Sequence, residues 1–241
     1  MTTAALDTFR SVRSTSLTKT KKRIEKHPSG DDTTTAIPWK RRMSKLRNRT
    51  EQVLSGSRME AALEAAQMLL EMQHDSIQNR DKYKEADADA DAFTIPTLTL
   101  NAVIHALRSW ATTNPQKNWE KAVNLSQTIM ERASVMSFKS PAHNATDGAP
   151  NVVSYTLYIS LLAMRGTSDA ARMATQVLRD MPVTPNGRTY NAVLLAWTSN
   201  NSQNSGSTNR NQLQRAKQLL EQWEQDPLAS ENLSTASYVT L

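Results

Sequence analysis

The side chains of this sequence that could do chemistry are uncharged amides and hydroxyls placed at helix starts. In the segment TPNGRTYNAVLLAW (residues 184–197), a Pro-Asn-Gly turn signal leads to Tyr190 and Asn191, and an apolar helix follows. A short amide distinguishes a partner by its pattern of hydrogen-bond donors and acceptors. It can equally cap its own helix or face solvent, so the residue types alone leave these alternatives open.

Catalytic and metal-binding motifs are missing from the sequence. The absence of cysteine excludes disulfides, thiolate zinc sites and a cysteine nucleophile within this chain. The four histidines share no ligand spacing, and neither HExxH, nor a Gly-rich phosphate loop, nor a nucleophile elbow is found. The acidic segment 84–92 lacks the Gly and Glu of a calcium loop and is expected to be a solvated linker. We therefore expect no enzyme activity, no cofactor and no small-molecule substrate.

Apolar residues recur with the spacing 0, 3, 4, 7, which predicts the single buried face of a short amphipathic helix. One set of segments opens on a large residue. Its members are Leu100, Val103, Ile104 and Leu107; Tyr155, Tyr158, Ile159 and Leu162; and Tyr190, Val193, Leu194 and Trp197.

A second set of segments alternates with the first and opens on a small residue, which indicates close helix packing there. We expect His105 to be a partly buried structural residue and Trp110, Trp197 and Trp223 to pack in the core. The alternation predicts an all-α chain of helical hairpins. The members of the second set are Ala65, Met68, Leu69 and Met72; Ala122, Leu125, Ser126 and Ile129; Ala174, Val177, Leu178 and Met181; and Ala216, Leu219, Leu220 and Trp223.

Two polar stretches, 138–150 and 199–211, are predicted to be loop insertions between helices. Because the chain ends one turn into a helix, we expect it to be part of a longer protein. The predicted organisation is a disordered basic arm or targeting segment (1–36), N-terminal helices with the acidic linker (37–96), three hairpins (97–151, 152–186 and 187–234) and the start of another (235–241).

The net charge of +6 is spread unevenly along the chain. Residues 1–50 hold 13 Lys/Arg against 4 Asp/Glu, and residues 51–96 hold 4 against 10. The arm is rich in Ser, Thr, Lys and Arg, which favours a mitochondrial presequence over a plastid or nuclear signal, with a disordered basic tail as the alternative. The sequence contains no run of about 18 apolar residues, so no membrane span is predicted.

The segment WKRRMSKLRNR (39–49) is densely basic and contains one aromatic residue. We expect it to begin a helix that pairs with a helix at 58–73. Its cations could hold nucleic-acid phosphates, or they could form a solvated helix face. The sequence does not choose between the two.

The segments APNVVSYTLYISLLAM and TPNGRTYNAVLLAW resemble the first helices of pentatricopeptide repeats, and ATQVLRDM and AKQLLEQW resemble the second helices. The resemblance covers residues 97–241 and is most specific in 152–186, where the period is 35 residues. It implies a right-handed α-solenoid of helix-turn-helix repeats that binds single-stranded RNA, with about one nucleotide per repeat.

The resemblance also implies which side chains contact bases, with adenine favoured by the middle unit and pyrimidines by the outer two. It pairs an early helical residue with one at the end of the unit and adds a residue that flanks the base. The pairs are Asn101 with Asn151, Thr156 with Asn186, and Asn191 with Ser234, and the flanking residues are Leu98, Val153 and Arg188.

Sequence-specific RNA binding in an organelle, in RNA processing, stability or translation, is therefore the leading hypothesis. One alternative is a helical scaffold for a protein partner. The other is the binding portion of a larger enzyme whose catalytic domain is not in this chain.

Overall fold

A computed structural model describes residues 36–84, 95–138, 148–199, 206–233, 237 and 238. Every regular element within these ranges is an α-helix, which confirms the all-α prediction. The predicted arm before Ala36, the acidic linker after Lys84 and most of the 138–150 connection lie outside the described residues.

The helices, in chain order, are α1 (Ala36–Leu54), α2 (Ala61–Lys84), α3 (Thr97–Thr113), α4 (Pro115–Phe138), α5 (Val152–Ala163), α6 (Ser168–Asp180), α7 (Gly187–Thr198), α8 (Gly206–Gln225) and α9 (Pro227–Ser230). Helix α1 contacts α2, so the basic segment does begin a helix that pairs with the next one. We call α1, α3, α5 and α7 the first helices, and α2, α4, α6 and α8 the second helices.

The prediction of a loop over 199–211 is wrong in its second half, because α8 begins at Gly206. Arg210 and Asn211 are exposed, whereas Gln212 is buried. The polar stretch therefore enters the solvent-facing side of the first turns of α8. Polar composition alone cannot distinguish such a helical face from a loop.

Each helix contacts the one that follows it, and the first helices also contact one another in the order α1–α3–α5–α7. Among the second helices, α2 contacts α4. The starts of successive first helices are therefore brought side by side, although the chain between them passes through a second helix.

The predicted apolar faces form the core. Every predicted position is buried except four, which are half buried and still pack against the core: Met68, Leu125, Tyr155 and Val177. The three tryptophans expected in the core are also buried. The small residues that begin the predicted apolar faces of the second helices are fully buried, as close packing of neighbouring helices requires: Ala65, Ala122, Ala174 and Ala216.

Two indole groups connect successive helices through polar contacts. Trp119 of α4 donates to the carbonyl oxygen of Leu161 in α5 at 2.8 Å. Trp197 of α7 donates to the hydroxyl of Thr175 in α6 at 2.9 Å. A buried N–H group is costly unless it is paired, so these bonds restrict how the helices can pack.

Adjacent leucines of α7 provide a matched test of this core. Leu194 is fully buried, whereas Leu195 is 49% exposed. We expect Leu194→Ala to lower the free energy of unfolding by about 2–5 kcal/mol, because it removes core contacts and leaves a cavity. Leu195→Ala should lower it by less than about 1 kcal/mol. Urea denaturation measures both, and equal losses would contradict the assigned face of α7.

A pH dependence should come from His105, which is half buried in α3 as expected of a structural residue. Burial, and then the charge of Arg108, lower the pKa of His105 from its ordinary 6.5. The folded state therefore favours neutral imidazole. This contribution to stability is present above about pH 6.5 and is lost as the pH falls through the lowered pKa.

The test compares urea denaturation of the wild type and His105→Gln between about pH 7 and pH 5, across the ordinary histidine pKa. The wild type should lose more stability on acidification than the variant, and His74→Gln, changed at an exposed position, is the control. An equal loss in the wild type and in His105→Gln would show that His105 does not contribute.

Candidate functional site

Helices α3, α5 and α7 share one register at their starts, so equivalent positions can be compared. The fifth residue of each helix follows a Leu or Tyr that packs in or against the core. We call these fifth-position residues: Asn101, Thr156 and Asn191. We call the residues directly before Tyr155, Tyr190 and Tyr238 the third-position residues: Ser154, Thr189 and Ser237.

Each fifth-position side chain is hydrogen bonded to the third-position hydroxyl of the following unit. Ser154 donates to Asn101 Oδ1 at 2.5 Å. The hydroxyl oxygens of Thr156 and Thr189 lie 2.8 Å apart. Ser237 donates to Asn191 Oδ1. All three third-position residues are fully buried, so the same contact recurs at three junctions, and we call it the hydroxyl relay.

Asn151 and Asn186 are the N-caps of α5 and α7. Asn151 Oδ1 accepts from the backbone N–H groups of Val153 and Ser154 at 3.0 and 3.1 Å. Asn186 Oδ1 accepts from that of Thr189 at 3.1 Å. The third-position hydroxyls accept from the cap N–H groups in return and complete two capping boxes. Helix capping, one alternative that the sequence left open, is therefore confirmed for both asparagines.

Capping occupies the carboxamide oxygens of Asn151 and Asn186 and leaves their Nδ2 groups available to donate hydrogen bonds. The Nδ2 groups of Asn151 and Asn186 have no partner among the described residues. Asn101 donates one Nδ2 hydrogen to Asn151 Oδ1 at 3.3 Å, and its second Nδ2 hydrogen has no acceptor among the described residues. The Thr156 hydroxyl lies 2.7 Å from the carbonyl oxygen of Val152. Around Asn101, Asn151 and Asn186, the surface therefore offers N–H donors to a partner that carries acceptors.

The second residue of each first helix lies three positions before the fifth, and hence on the same helical face. Leu98 is 79% exposed and Val153 is 47% exposed. Arg188 is also exposed. Each described unit thus places an exposed apolar or guanidinium surface beside a short polar side chain. Such a surface can stack on a planar group while the polar side chain bonds to its edge.

Charge contributes little at these helix starts, where Arg188 is the one ionised side chain among the predicted residues. Burial raises the pKa of Tyr155 and, with a smaller effect of Asp226, that of Tyr190, so both rings stay neutral. Tyr190 packs edge-on to Trp223 with ring centroids 4.8 Å apart, which confirms that it faces the helix stack.

The described residues provide no other site of this regularity. They hold no group of three His, Asp or Glu side chains that could bind a metal ion. None of the described helices is long and apolar enough to cross a membrane. A shallow depression lies on α4, and its lining residues all come from that one helix: Lys117, Glu120, Lys121, Asn124, Leu125 and Thr128.

The predicted residues lie on, or cap, helices that contact one another, except for Ser234, which is outside the described residues. Sequence reasoning assigned no role to the third-position residues. The spacing Asn-x-x-Ser/Thr before the apolar faces of α5 and α7 could have indicated their capping boxes. It could not have indicated the relay, because the relay joins residues 33 to 53 positions apart.

Removal of a relay hydroxyl should destabilise the fold. Thr189→Val keeps the shape of the side chain but removes the partner of Thr156 and of the Asn186 backbone. We expect a loss of about 1–3 kcal/mol in the free energy of unfolding. Thr128→Val is the matched control, because the one described bond of the Thr128 hydroxyl is to a carbonyl of its own helix. It should cost less than about 0.5 kcal/mol.

A double-mutant cycle with Thr156→Val isolates the relay contact itself. We expect an interaction energy of at least about 0.5 kcal/mol between positions 156 and 189. Strict additivity would mean that the two hydroxyls do not stabilise each other.

Comparison with known proteins adds no information about the site. No family model, no curated protein and no solved structure matches the chain. The resemblance of residues 97–241 to pentatricopeptide repeats is therefore carried by the sequence motifs alone.

Proposed function

We propose that residues 97–241 form pentatricopeptide-type repeats of a right-handed α-solenoid and bind single-stranded RNA with sequence preference. The observation that carries the proposal is the hydroxyl relay. At three successive junctions it holds a short polar side chain at the start of a first helix, and in the three described units an exposed second-position residue stands beside that side chain.

The chemistry of these positions suits nucleic-acid bases. A base presents a flat π-face for stacking and an edge with a defined pattern of donors and acceptors. Leu98, Val153 and Arg188 are exposed and can cover the face, while the fifth-position side chains and the cap nitrogens can bond to the edge. Since these polar groups are uncharged, they select by hydrogen-bond pattern rather than by attraction to phosphate.

The expected affinity of this chain is low. Stacking contributes about 1–3 kcal/mol per base, so three bases give about 3–9 kcal/mol. The loss of translational, rotational and conformational freedom on binding costs about 4–15 kcal/mol. Tight recognition therefore calls for further repeats or for additional contacts to the strand. We place the activity in an organelle, with the mitochondrion favoured by the composition of residues 1–36.

A scaffold for a protein partner is the second candidate, and the exposure of Leu98 and Val153 favours it. Large apolar side chains that protrude from a helical surface also suit a peptide ligand. On this alternative the fifth-position residues would serve only the fold, and RNA binding would be absent or independent of sequence.

The test replaces Thr156 and Asn191 by Ala, singly and together, in the full chain. Preference among RNAs that differ in one base should fall by about 2- to 10-fold per position, as expected for one net hydrogen bond of about 0.5–1.5 kcal/mol. Fluorescence anisotropy with short labelled RNAs at low salt measures this preference.

The controls are Thr128→Ala and Asn124→Ala on α4, which delete the same side chains away from the first helices. Thr128 bonds to the fourth preceding carbonyl, as Thr156 does, so the pair is matched in its local contact. If the variants at 156 and 191 keep both the affinity and the preference of the wild type, the proposed base contacts are wrong.

A further inference from the structure

Helix α1 carries six basic residues and one acidic residue, and burial divides the basic ones into two groups. Trp39, Leu46, Thr50 and Val53 are buried and mark the side of α1 that faces the protein. Arg42 and Arg49 border this side and are partly buried. The remaining four are exposed, and we call them the basic face: Lys40, Arg41, Lys45 and Arg47.

The two bordering arginines are neutralised within the hairpin. Arg42 pairs with Glu71 at 3.7 Å and with Asp75 at 2.5 Å. Arg49 pairs with Glu64 at 3.0 Å. Three acidic side chains of α2, those of Glu64, Glu71 and Asp75, are thus directed to the arginines at the edge of the interface. This part of the basic segment serves the packing of α1 on α2.

The basic face lacks such ion pairs within the part of the chain that the structure describes. None of its four cations has an acidic partner among the described residues. At about 100° per residue, they lie within an arc of about 160° centred opposite the buried side, and Lys40 and Arg47 are about 10 Å apart along the axis. Arg41 and Lys45, four residues apart, repel each other. No ion pair among the described residues offsets this repulsion, so a bound anion would relieve it.

The register of α1 relates this face to the other first helices. Trp39, Met43 and Leu46 have the same spacing in α1 as Leu100, Ile104 and Leu107 in α3. Lys40 therefore occupies the position that Asn101 occupies in α3, and α1 contacts α3. A strand that passes the fifth-position residues in the direction of α1 would next meet the basic face.

We propose that the basic face of α1 binds the phosphate backbone of single-stranded RNA, independently of its sequence. The proposal rests on the proposed function for the identity of the strand. Lys and Arg bind phosphates as charge partners, and such contacts position a strand without selecting its bases. Exposed residues of α1 between Lys40 and Arg47 are all polar, whereas a protein interface needs an apolar centre.

The experiment measures how the affinity of the full chain for a labelled single-stranded RNA depends on salt. One variant carries Lys40→Gln, Arg41→Gln, Lys45→Gln and Arg47→Gln. The control carries Lys117→Gln, Lys121→Gln, Arg179→Gln and Lys217→Gln, which remove the same charge from exposed positions on the second helices. Circular dichroism should give wild-type helicity for both, because all the changed side chains are exposed.

Each lost phosphate contact should reduce the slope of log affinity against log salt by about 0.7 for a single strand. Four contacts reduce it by about 3, so between 50 and 200 mM salt the wild type should lose about 50-fold more affinity than the α1 variant. The control should keep the wild-type slope. Preference among RNA sequences should be unchanged in the α1 variant.

Four outcomes separate this proposal from that of base contact. Equal slopes for the α1 variant and the wild type overturn the proposal for α1. The same proposal is overturned if poly-glutamate displaces the labelled RNA from the basic face as strongly as unlabelled RNA does. RNA binding without any base preference, but with a reduced slope in the α1 variant, supports it and rejects base contact. Failure of the wild type to bind any RNA at 50 mM salt overturns both.

Discussion

The buried hydroxyl at the third position of a first helix is the constraint on which the rest of the site depends. Ser154 and Thr189 each close a capping box with the preceding Asn and contact the fifth-position residue of the previous unit. A buried hydroxyl without a partner costs about 1–3 kcal/mol, so these bonds offset the burial of the third-position hydroxyl when the hairpins pack. A single third-position hydroxyl consequently positions both the start of its own helix and the fifth-position side chain of the previous unit.

This double role removes the apparent conflict between capping and ligand contact. A carboxamide has an acceptor and a donor end, and the cap of Asn186 uses the acceptor. Its nitrogen is left to meet a partner, and the cap fixes the direction in which it points. Capping would favour the ligand contact that we propose, because it removes rotamer freedom that binding would otherwise have to restrict.

Local periodicity predicted most of the fold, and it predicted the site less completely. The spacing of Tyr190, Val193 and Trp197 was sufficient to assign the buried face of α7, since burial follows from the helical repeat alone. The start of α8 at Gly206 was missed because exposed helical turns and loops share polar composition. The relay could not be predicted, because its partners belong to different hairpins and meet only after the first helices pack.

The division of charge in α1 follows from the same distinction between local and tertiary information. The sequence shows six cations in one helix, but only the packed hairpin determines that Arg42 and Arg49 are held by acids of α2. Lys40 and its exposed neighbours are left to solvent or to a ligand. In the proposed function, the almost uncharged helix starts of α3, α5 and α7 discriminate but attract weakly, whereas the basic face of α1 attracts without discriminating. A strand bound at both places would obtain affinity from one hairpin and specificity from the others, which offsets the low affinity expected of three repeats.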